Sequence, residues 1–179
     1  MMKGKNPKTI IYTIGHSTRP IDEFISMLKD FHVRKLIDVR TIPKSRYNPQ
    51  YNQTDLAKSL TKEKIDYEHM LGLGGLRHAQ KDSINKGWRN ASFRGFADYM
   101  QIEEFENSLQ ELVKEARKKA MVIMCAEAVP WRCHRSLIAD ALLLHGLDVR
   151  DIMGVQKESM HKMNPMARIK KGKIYYPEL

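Results

Sequence analysis

Residues 9–39 read TIIYTIGHSTRPIDEFISMLKDFHVRKLIDV, and this stretch decides the fold. The β-branched run 9–14, closed by Gly15, predicts a buried strand. Pro20 and the two acidic residues after Ile21 predict the first turn of a helix with an apolar stripe. Residues 33–39 predict a second strand. A strand, a helix and a strand in succession form a βαβ unit, whose two strands run parallel.

The rest of the chain continues this alternation of strands and helices. We predict a loop over 41–52, a helix over 54–64, a short strand over 65–69, helices over 96–100 and 103–119, a strand over 120–125, a helix over 134–145 and a strand over 147–152. Residues 71–95 are rich in glycine and show no sustained period, which is typical of a functional or disordered loop, and whether they close over the site stays open. The expected fold is α/β, a single three-layer domain with a mainly parallel central sheet flanked by helices.

Length and composition indicate an ordinary globular chain. With 179 residues, 42% of them hydrophobic and 29% charged, we expect one α/β domain over 1–179. No apolar run is long enough to span a bilayer, and the N-terminus lacks the apolar core of a signal peptide. We therefore expect no membrane partner and a cytoplasmic location, where both cysteines stay thiols rather than form a structural disulfide.

The net charge of +10 is concentrated at the two ends of the chain. Residues 1–8 carry three lysines and no acid, and residues 156–179 carry six basic residues against two glutamates. Such ends suit contact with a nucleic acid or another phosphate-containing partner, because neutralised phosphates release counterions. A solubilising, lysine-rich surface fits the same charges.

Three predicted strands end in polar or reactive residues. The first ends in Gly15-His16-Ser17, the second in Asp38-Val39-Arg40 and the third in Cys125-Ala126-Glu127. In open α/β sheets, ligands bind beyond the carboxyl ends of the strands. The sequence therefore predicts one polar site at this edge of the sheet.

The candidate catalytic residues of this site are ionisable groups, namely His16, Asp38, Cys125, Glu127 and His134. A histidine after a glycine fits a general acid or base, and it also fits a structural loop residue. Asp38 and Arg40 fit substrate orientation and phosphate binding, and they also fit a simple ion pair with each other.

The stretch 125–136 reads CAEAVPWRCHRS and joins a predicted strand to a predicted helix. The free N–H groups of the helix N-terminus favour an anion, and they lower the pKa of a nearby thiol. Cys125 thus fits a nucleophile, and it also fits a small buried side chain. The predicted substrate- or anion-binding residues are Gly15, Ser17, Arg40, Arg132, Arg135 and Ser136.

Three sharper templates do not match this stretch. A phosphatase loop needs five residues between its cysteine and arginine, whereas six separate Cys125 from Arg132. The paired cysteines of a zinc deaminase are missing, and no zinc-ligand spacing recurs. We predict no metal, and the sequence indicates no particular cofactor or oligomeric state.

Several spaced motifs together resemble the DUF488 family, a domain of unknown function. They are Thr13-Ile14-Gly15-His16-Ser17, Asp38-Val39-Arg40 with Pro43 and Ser45, Leu73-Gly74-Gly75, Phe96 with Tyr99-Met100, Met124-Cys125-Ala126-Glu127, Cys133-His134-Arg135 and the tail Tyr175-Tyr176-Pro177. The core of this resemblance runs over about 11–152, which leaves a basic C-terminal extension over 153–179. The resemblance implies an α/β fold and a site, without an activity.

A more distant similarity links two segments to rhodanese-type sulfurtransferases, namely Asp38–Arg40 and Cys125–Ser136. By this analogy Cys125 would carry a persulfide. The longer loop with Glu127 and Pro130 departs from the rhodanese pattern.

Three functions fit these observations. The first is an enzyme with an anion- or phosphate-binding site that acts on nucleic acid or a nucleotide, with His16, Asp38 and Glu127 as acid and base groups. The second is rhodanese-like thiol chemistry at Cys125, transferring sulfur or a phosphoryl group. The third is a non-enzymatic module that binds nucleic acid or a nucleotide. We take the first as the leading hypothesis.

Overall fold

Six strands form the central sheet in a computed structural model, which describes residues 6–179. They are β1 (Ile10–Gly15), β2 (Lys35–Asp38), β3 (Asp66–His69), β4 (Met121–Cys125), β5 (Asp148–Gly154) and β6 (Lys157–Met160). Their order is β3-β2-β4-β1-β5-β6. The first five strands in this order are parallel, and β6 runs antiparallel to β5. A separate hairpin pairs β7 (Arg168–Lys170) with β8 (Lys173–Tyr175).

Five helices cover the two faces of the sheet. They are α1 (Ile21–Asp30), α2 (Gln53–Lys62), α3 (Ala91–Tyr99), α4 (Glu103–Ala116) and α5 (Arg135–Leu144). Apolar side chains of α1 and α2 form one core with one face of the sheet, and those of α3, α4 and α5 form a second core with the other face. The structure therefore confirms a single three-layer α/β domain with a mainly parallel sheet. None of the helices within residues 6–179 is both long and apolar enough to cross a membrane.

The central strand β4 shows why the sequence pattern leads to this fold. All five of its residues, MVIMC, are buried. A strand covered by helices on both faces has no solvent-facing positions, so its sequence is continuously apolar rather than alternating. The run therefore ends at Cys125, the point where the chain leaves the interior.

The structure differs from the sequence prediction in the segment before α3. This helix begins at Ala91, five residues before the predicted start. The side chain of Asn90 caps it, accepting hydrogen bonds from the backbone N–H groups of Ser92 (2.8 Å) and Phe93 (3.3 Å). Such a cap satisfies N–H groups that lack a partner within the helix, and arginine and glycine in the first turns obscured the helical period.

The predicted basic extension also contains strands that the sequence did not indicate. All residues of β6 and β7 are exposed, so neither strand carries an apolar pattern. β6 lies at the edge of the sheet, where charged side chains such as Lys157 and Glu158 are typical. The hairpin is fixed to the domain by Ile174 and Tyr176, which are buried in the core, and the hydroxyl of Tyr176 donates to Asp140 of α5 at 2.7 Å.

Gly15 ends β1 where the chain after β4 passes very close to it. The backbone N–H groups of His16 and Ser17 donate to the carbonyl oxygens of Cys125 and Ala126, both at 2.9 Å. A Cβ atom on Gly15 would lie only 1.8 Å from the carbonyl oxygen of Glu127. Glycine is therefore required here by the close approach of two backbone segments.

We expect Gly15→Ala to lower the free energy of unfolding by about 1–3 kcal/mol, because two backbone segments must separate. Urea unfolding of both proteins measures the effect. The matched control is Gly154→Ala, since the nearest atom to a Cβ there is 3.8 Å away. A Gly15→Ala protein as stable as this control would mean that the Glu127 carbonyl moves aside without cost.

Candidate functional site

A pocket of about 360 Å³ opens at the carboxyl ends of β2 and β4. Both cysteines of the chain lie in its wall, and we call it the thiol pocket. Its charged lining residues are Arg40, Lys44, Glu127 and Arg132. Its apolar lining comes mainly from Ile42, Leu76 and Phe93, and His134 completes the wall beside the cysteines. The pocket thus combines three cations and two sulfur atoms with an apolar surface.

The two cysteines meet because of the path of the chain between them. Cys125 is the last residue of β4, and Cys133 lies two residues before α5. Residues 126–132 include a single 3-10 turn and lead the chain back, so that the structure joins the two sulfur atoms as a disulfide. The Cα atoms are 7.6 Å apart, so the contact is made by the side chains alone. The prediction that both cysteines remain thiols, made from their low number and the expected reducing location, is wrong for this structure. Their spacing does not show that the chain returns to bring them together.

Arg135, in the first turn of α5, lies directly beneath Cys125. Its side chain is buried, and one Nη donates to Cys125 Sγ at 2.8 Å and to the Glu127 carbonyl at 2.6 Å. The other Nη donates to the Ala128 carbonyl at 3.1 Å. Burial lowers the pKa of Arg135 to about 10, which leaves it charged at neutral pH. A buried cation therefore faces the sulfur of Cys125, and a cation in this position favours a thiolate.

The guanidinium of Arg135 is connected to a carboxylate only through a hydroxyl group. Its Nε donates to Thr13 Oγ1 at 3.3 Å, and that hydroxyl donates to the Asp151 carboxylate at 2.5 Å. Thr13 and Asp151 are both buried in the sheet. The carboxylate also faces His161, whose Nδ1 is 3.6 Å away. The sulfur of Cys125, 2.8 Å from an Nη of Arg135, is thus the nearest atom to the guanidinium that can carry a negative charge.

Cys133 has two partners of its own. The backbone N–H of Arg135 donates to Cys133 Sγ at 3.5 Å, and His134 Nδ1 lies 3.6 Å from the same sulfur. His134 Nε2 lies 3.0 Å from the carbonyl oxygens of both Val39 and Leu73. Because a carbonyl oxygen only accepts, Nε2 carries the hydrogen of the neutral ring and Nδ1 is left as an acceptor. Burial lowers the pKa of His134 to about 4, so the ring is neutral at neutral pH.

Arg40 is fixed by Asp38 in a buried, two-pronged ion pair. Arg40 Nε and Nη2 donate to the two Asp38 oxygens at 2.9 Å and 2.7 Å. The same carboxylate accepts from the hydroxyl of Tyr67 at 2.7 Å, and Asp38 is fully buried. Both Asp38 oxygens are therefore engaged in holding the guanidinium of Arg40 at the wall of the thiol pocket.

His16 supports Arg40 from behind. Its Nδ1 donates to the carbonyl of Ser17 at 2.7 Å, and its Nε2 faces Arg40 Nη1 at 3.4 Å. The ring stacks on Tyr51, with the centroids 4.1 Å apart. Burial lowers the pKa of His16 to about 4. The imidazole is therefore a neutral acceptor for Arg40, and it lies outside the pocket lining.

The structure places the predicted site residues in three locations: in or directly beneath the thiol pocket, behind its wall, and at a second cavity. Arg40, Cys125, Glu127, Arg132 and His134 line the thiol pocket, and Arg135 lies beneath it. Gly15, His16, Ser17 and Asp38 lie behind this wall in backbone or buried side-chain contacts. Ser136 donates to the Cys133 carbonyl at 2.9 Å and faces a second cavity.

Sequence reasoning missed several residues of the site. Lys44, Leu76 and Phe93 come from segments predicted as loops, where no pattern shows which side chain turns inward. Thr13 did leave a signal, because it is a polar residue inside the largely apolar run of β1, whereas Asp151 lies in a strand with two other charged residues and does not stand out. A buried polar group requires a partner, and here the two partner each other beneath Arg135.

One group of carboxylates among the described residues has the spacing of metal ligands. It comprises Glu68, Glu111 and Glu115, away from the thiol pocket. Lys35 Nζ donates to Glu115 and pairs with Glu68, both at 2.5 Å. The ammonium group of Lys35 therefore already balances part of the negative charge of this group.

Fold and site together define an α/β protein with a pocket that contains two cysteines and several arginines at the carboxyl edge of its parallel sheet. Residues 20–142 match the model of a domain of unknown function, DUF488, and the chain belongs to this family, as its motifs predicted. Searches of the curated proteins and of the solved structures found no match, and the rhodanese-like similarity is not confirmed. The match is narrower than the predicted 11–152, but it includes every residue that lines the thiol pocket.

Proposed function

We propose that this protein is a thiol-dependent enzyme that acts on a small anionic substrate in the thiol pocket, with Cys125 as the nucleophile. The observation that carries the proposal is the guanidinium of Arg135, 2.8 Å from the sulfur of Cys125. The guanidinium reaches its nearest carboxylate, Asp151, only through the hydroxyl of Thr13, so its burial costs free energy, and a thiolate at 2.8 Å offsets part of that cost. The reduced thiol is therefore held in its reactive form.

The pocket lining supports an anionic substrate that also has an apolar part. Arg40, Lys44 and Arg132 supply positive charge, against the one carboxylate of Glu127. Exposed Ile42 and Leu76 supply apolar surface. A volume of about 360 Å³ is typical of pockets for small molecules. A nucleotide fits these requirements, and so does a smaller aromatic or aliphatic acid.

Each of these residues has a defined part in covalent catalysis. The thiolate of Cys125 attacks the electrophilic centre of the substrate, and a leaving group departs with the electron pair of the broken bond. Arg40 is held rigidly by Asp38, so it stabilises negative charge on the substrate without reorganising. Lys44 and Arg132 attract the anion and orient it, and a second nucleophile then releases the group bound to sulfur.

The acid–base mechanism on nucleic acid that the sequence suggested has less support. It requires His16 and Asp38 to reach the substrate, yet both are buried and engaged with Arg40. The basic residues of 156–179 also lie outside the pocket, whose lining comes from residues 40–134. A phosphate group remains one of the anions that the three cations suit. A purely binding module would not need the arginine beneath Cys125.

Alkylation by two reagents of similar size tests the proposal. Iodoacetamide is neutral and iodoacetate is anionic, and an unassisted thiolate reacts faster with the neutral reagent because it repels the carboxylate. In reduced Cys133→Ser protein, where Cys125 is the remaining thiol, we expect iodoacetate to react faster than iodoacetamide. Lys44→Ala/Arg132→Ala should slow iodoacetate by about tenfold and leave iodoacetamide nearly unchanged.

The matched control removes two cations of α2 that lie outside the pocket, as Lys58→Ala/Lys62→Ala. This variant should keep the preference for iodoacetate. The proposal fails if Cys125 reacts with both reagents at the rate of the urea-unfolded chain. It also fails if the pocket variant and the α2 variant change the two rates equally.

A further inference from the structure

The second cysteine of the thiol pocket has no part in the reaction proposed so far. Attack on carbon or phosphorus needs one thiol, and a second one in contact with it would be open to unwanted oxidation. Cys133 nevertheless meets Cys125 and lines the same pocket. In thiol–disulfide exchange, by contrast, a neighbouring thiol has a function. It attacks the mixed disulfide formed on the first thiol and so releases the part of the substrate that is bound there.

The surroundings of Cys133 suit such a role. Its sulfur accepts from the backbone N–H of Arg135 at 3.5 Å and lies 3.6 Å from His134 Nδ1. The two carbonyl oxygens at His134 Nε2 leave Nδ1 as the free acceptor. The neutral imidazole can thus accept a hydrogen bond from the Cys133 thiol. Because its pKa is about 4, it does not hold the proton but relays it to the thiolate that leaves. Among residues 6–179, neither an imidazole nor a carboxylate lies within hydrogen-bonding distance of Cys125 Sγ, whose polar contacts are the guanidinium of Arg135 at 2.8 Å and the carbonyl oxygen of Glu127 at 4.0 Å.

The two sulfurs are therefore activated in different ways. The cation at Cys125 favours a thiolate before the substrate arrives, which suits the first attack. The acceptor at Cys133 removes a proton during the reaction, which suits a thiol that acts second. This difference assigns an order to the two cysteines.

We propose that Cys133 is a second catalytic residue that resolves the intermediate formed on Cys125, and that the substrate is an anionic compound with a sulfur–sulfur bond. This inference rests on the proposed function, since it needs Cys125 as the first nucleophile. The electrophile is then a sulfur atom of the substrate, and His134 accepts the proton of Cys133.

The steps balance as a two-electron reduction of the substrate. The Cys125 thiolate attacks one sulfur of R–S–S–R′, a Cys125–S–S–R bond forms, and R′–S⁻ leaves and takes a proton from water. Cys133 transfers its proton to His134 Nδ1 and attacks the sulfur of Cys125. A Cys125–Cys133 disulfide forms, and R–S⁻ leaves with the proton from His134. A dithiol reductant then reduces the cysteine pair and becomes a disulfide itself.

The test uses dithiobis(nitrobenzoate), an aromatic disulfide with two carboxylates, on the full reduced chain. Each thionitrobenzoate that leaves is coloured, and the mass of the intact protein shows what stays bound. We expect the wild-type protein to release two thionitrobenzoates and to keep none, with an internal disulfide. Cys133→Ser should release one and keep the other as a mixed disulfide on Cys125.

A further variant separates catalysis from mere proximity of two thiols. His134→Gln should slow the second release at least about tenfold and the first release by much less, because the imidazole contacts the sulfur of Cys133 and not that of Cys125. His145→Gln, at the other end of α5, is the control and should change neither step. Its ring faces Glu106, outside the pocket.

Three results would count against the inference, and they differ in what else they affect. A wild-type protein that keeps an adduct on each cysteine would overturn the role of Cys133 and leave the proposed function standing. A second release that is equally fast in His134→Gln would overturn the part of His134 and, with it, the assigned order. A Cys125 thiol that reacts no faster than in the urea-unfolded chain would overturn the proposed function itself.

Discussion

The Arg135→Met protein is expected to lose about 3–5 kcal/mol of unfolding free energy, and its Cys125 thiol is expected to react with iodoacetate at least about tenfold more slowly at neutral pH. Methionine fills much of the same volume but donates no hydrogen bond. The carbonyl oxygens of Glu127 and Ala128 lose their donors, and buried Asp151 loses its nearby cation. Cys125 loses the charge that favours its thiolate.

Urea unfolding and alkylation in a Cys133→Ser background measure the two effects. Arg150→Met is the matched control on β5, because Arg150 pairs with Asp148 and Glu158 in partly exposed ion pairs away from the thiol pocket. Pairs that water reaches contribute about 1 kcal/mol, so this variant should lose much less stability than Arg135→Met and keep the reactivity of Cys125. If Arg135→Met were as stable and as reactive as Arg150→Met, the guanidinium would have no part in holding either the loop or the thiolate.

The parallel core of the fold could be predicted because burial leaves a direct mark on the sequence. Strands β1 and β4 are apolar runs of the expected length, and α1 presents an apolar stripe to the sheet. The strands β6 and β7 carry no such mark, since both are exposed and hold their place through backbone pairing. Backbone hydrogen bonds are available to every sequence, so an exposed strand is nearly invisible to pattern reasoning.

The edge of the sheet where the site lies could also be predicted, but the direction of each side chain could not. Parallel strands end together, which places Gly15, Asp38 and Cys125 at one edge. Whether Asp38 points to a substrate or to the interior depends on partners distant in sequence, such as the hydroxyl of Tyr67. The same holds for His16 and its stacking partner Tyr51. Asp38 and His16, predicted from the sequence as acid–base groups, are therefore the residues that hold Arg40 in the fold.

The stability of the protein is expected to be highest near pH 6.5 and to fall on both sides, because of three histidines whose pKa is shifted in the folded protein, namely His16, His134 and His161. His16 and His134 have a pKa of about 4 in the folded protein, against an ordinary value of 6.5. Between pH 6.5 and pH 4 the unfolded chain binds protons at both rings and the folded chain does not. Stability is therefore lost as the pH falls, by about 3 kcal/mol for each histidine at the acid end.

His161 has the opposite effect on the pH dependence of stability, because folding raises its pKa. Its ring lies between two buried carboxylates, 2.8 Å from Asp140 and 3.6 Å from Asp151. Burial alone would lower its pKa, but the hydrogen bond to Asp140 and the negative charge of both carboxylates outweigh that cost and raise the pKa to about 9. The folded chain keeps this proton above pH 6.5, where the unfolded chain releases it. The contribution is complete below pH 6.5 and is lost as the pH rises through 9, amounting to about 3 kcal/mol.

Urea unfolding between pH 4 and pH 9 separates these contributions. His134→Gln should make the acid side of the profile shallower, because one proton-binding ring is removed. His161→Gln should flatten the alkaline side, while lowering stability near pH 6.5, since Asp140 and Asp151 lose the cation between them. His78→Gln, which replaces an exposed ring, should leave both sides unchanged. If the unfolding free energy of His161→Gln fell as steeply between pH 6.5 and pH 9 as that of the wild-type protein, another group would cause the fall. Protonated His161 between its two carboxylates would then not contribute to the pH dependence.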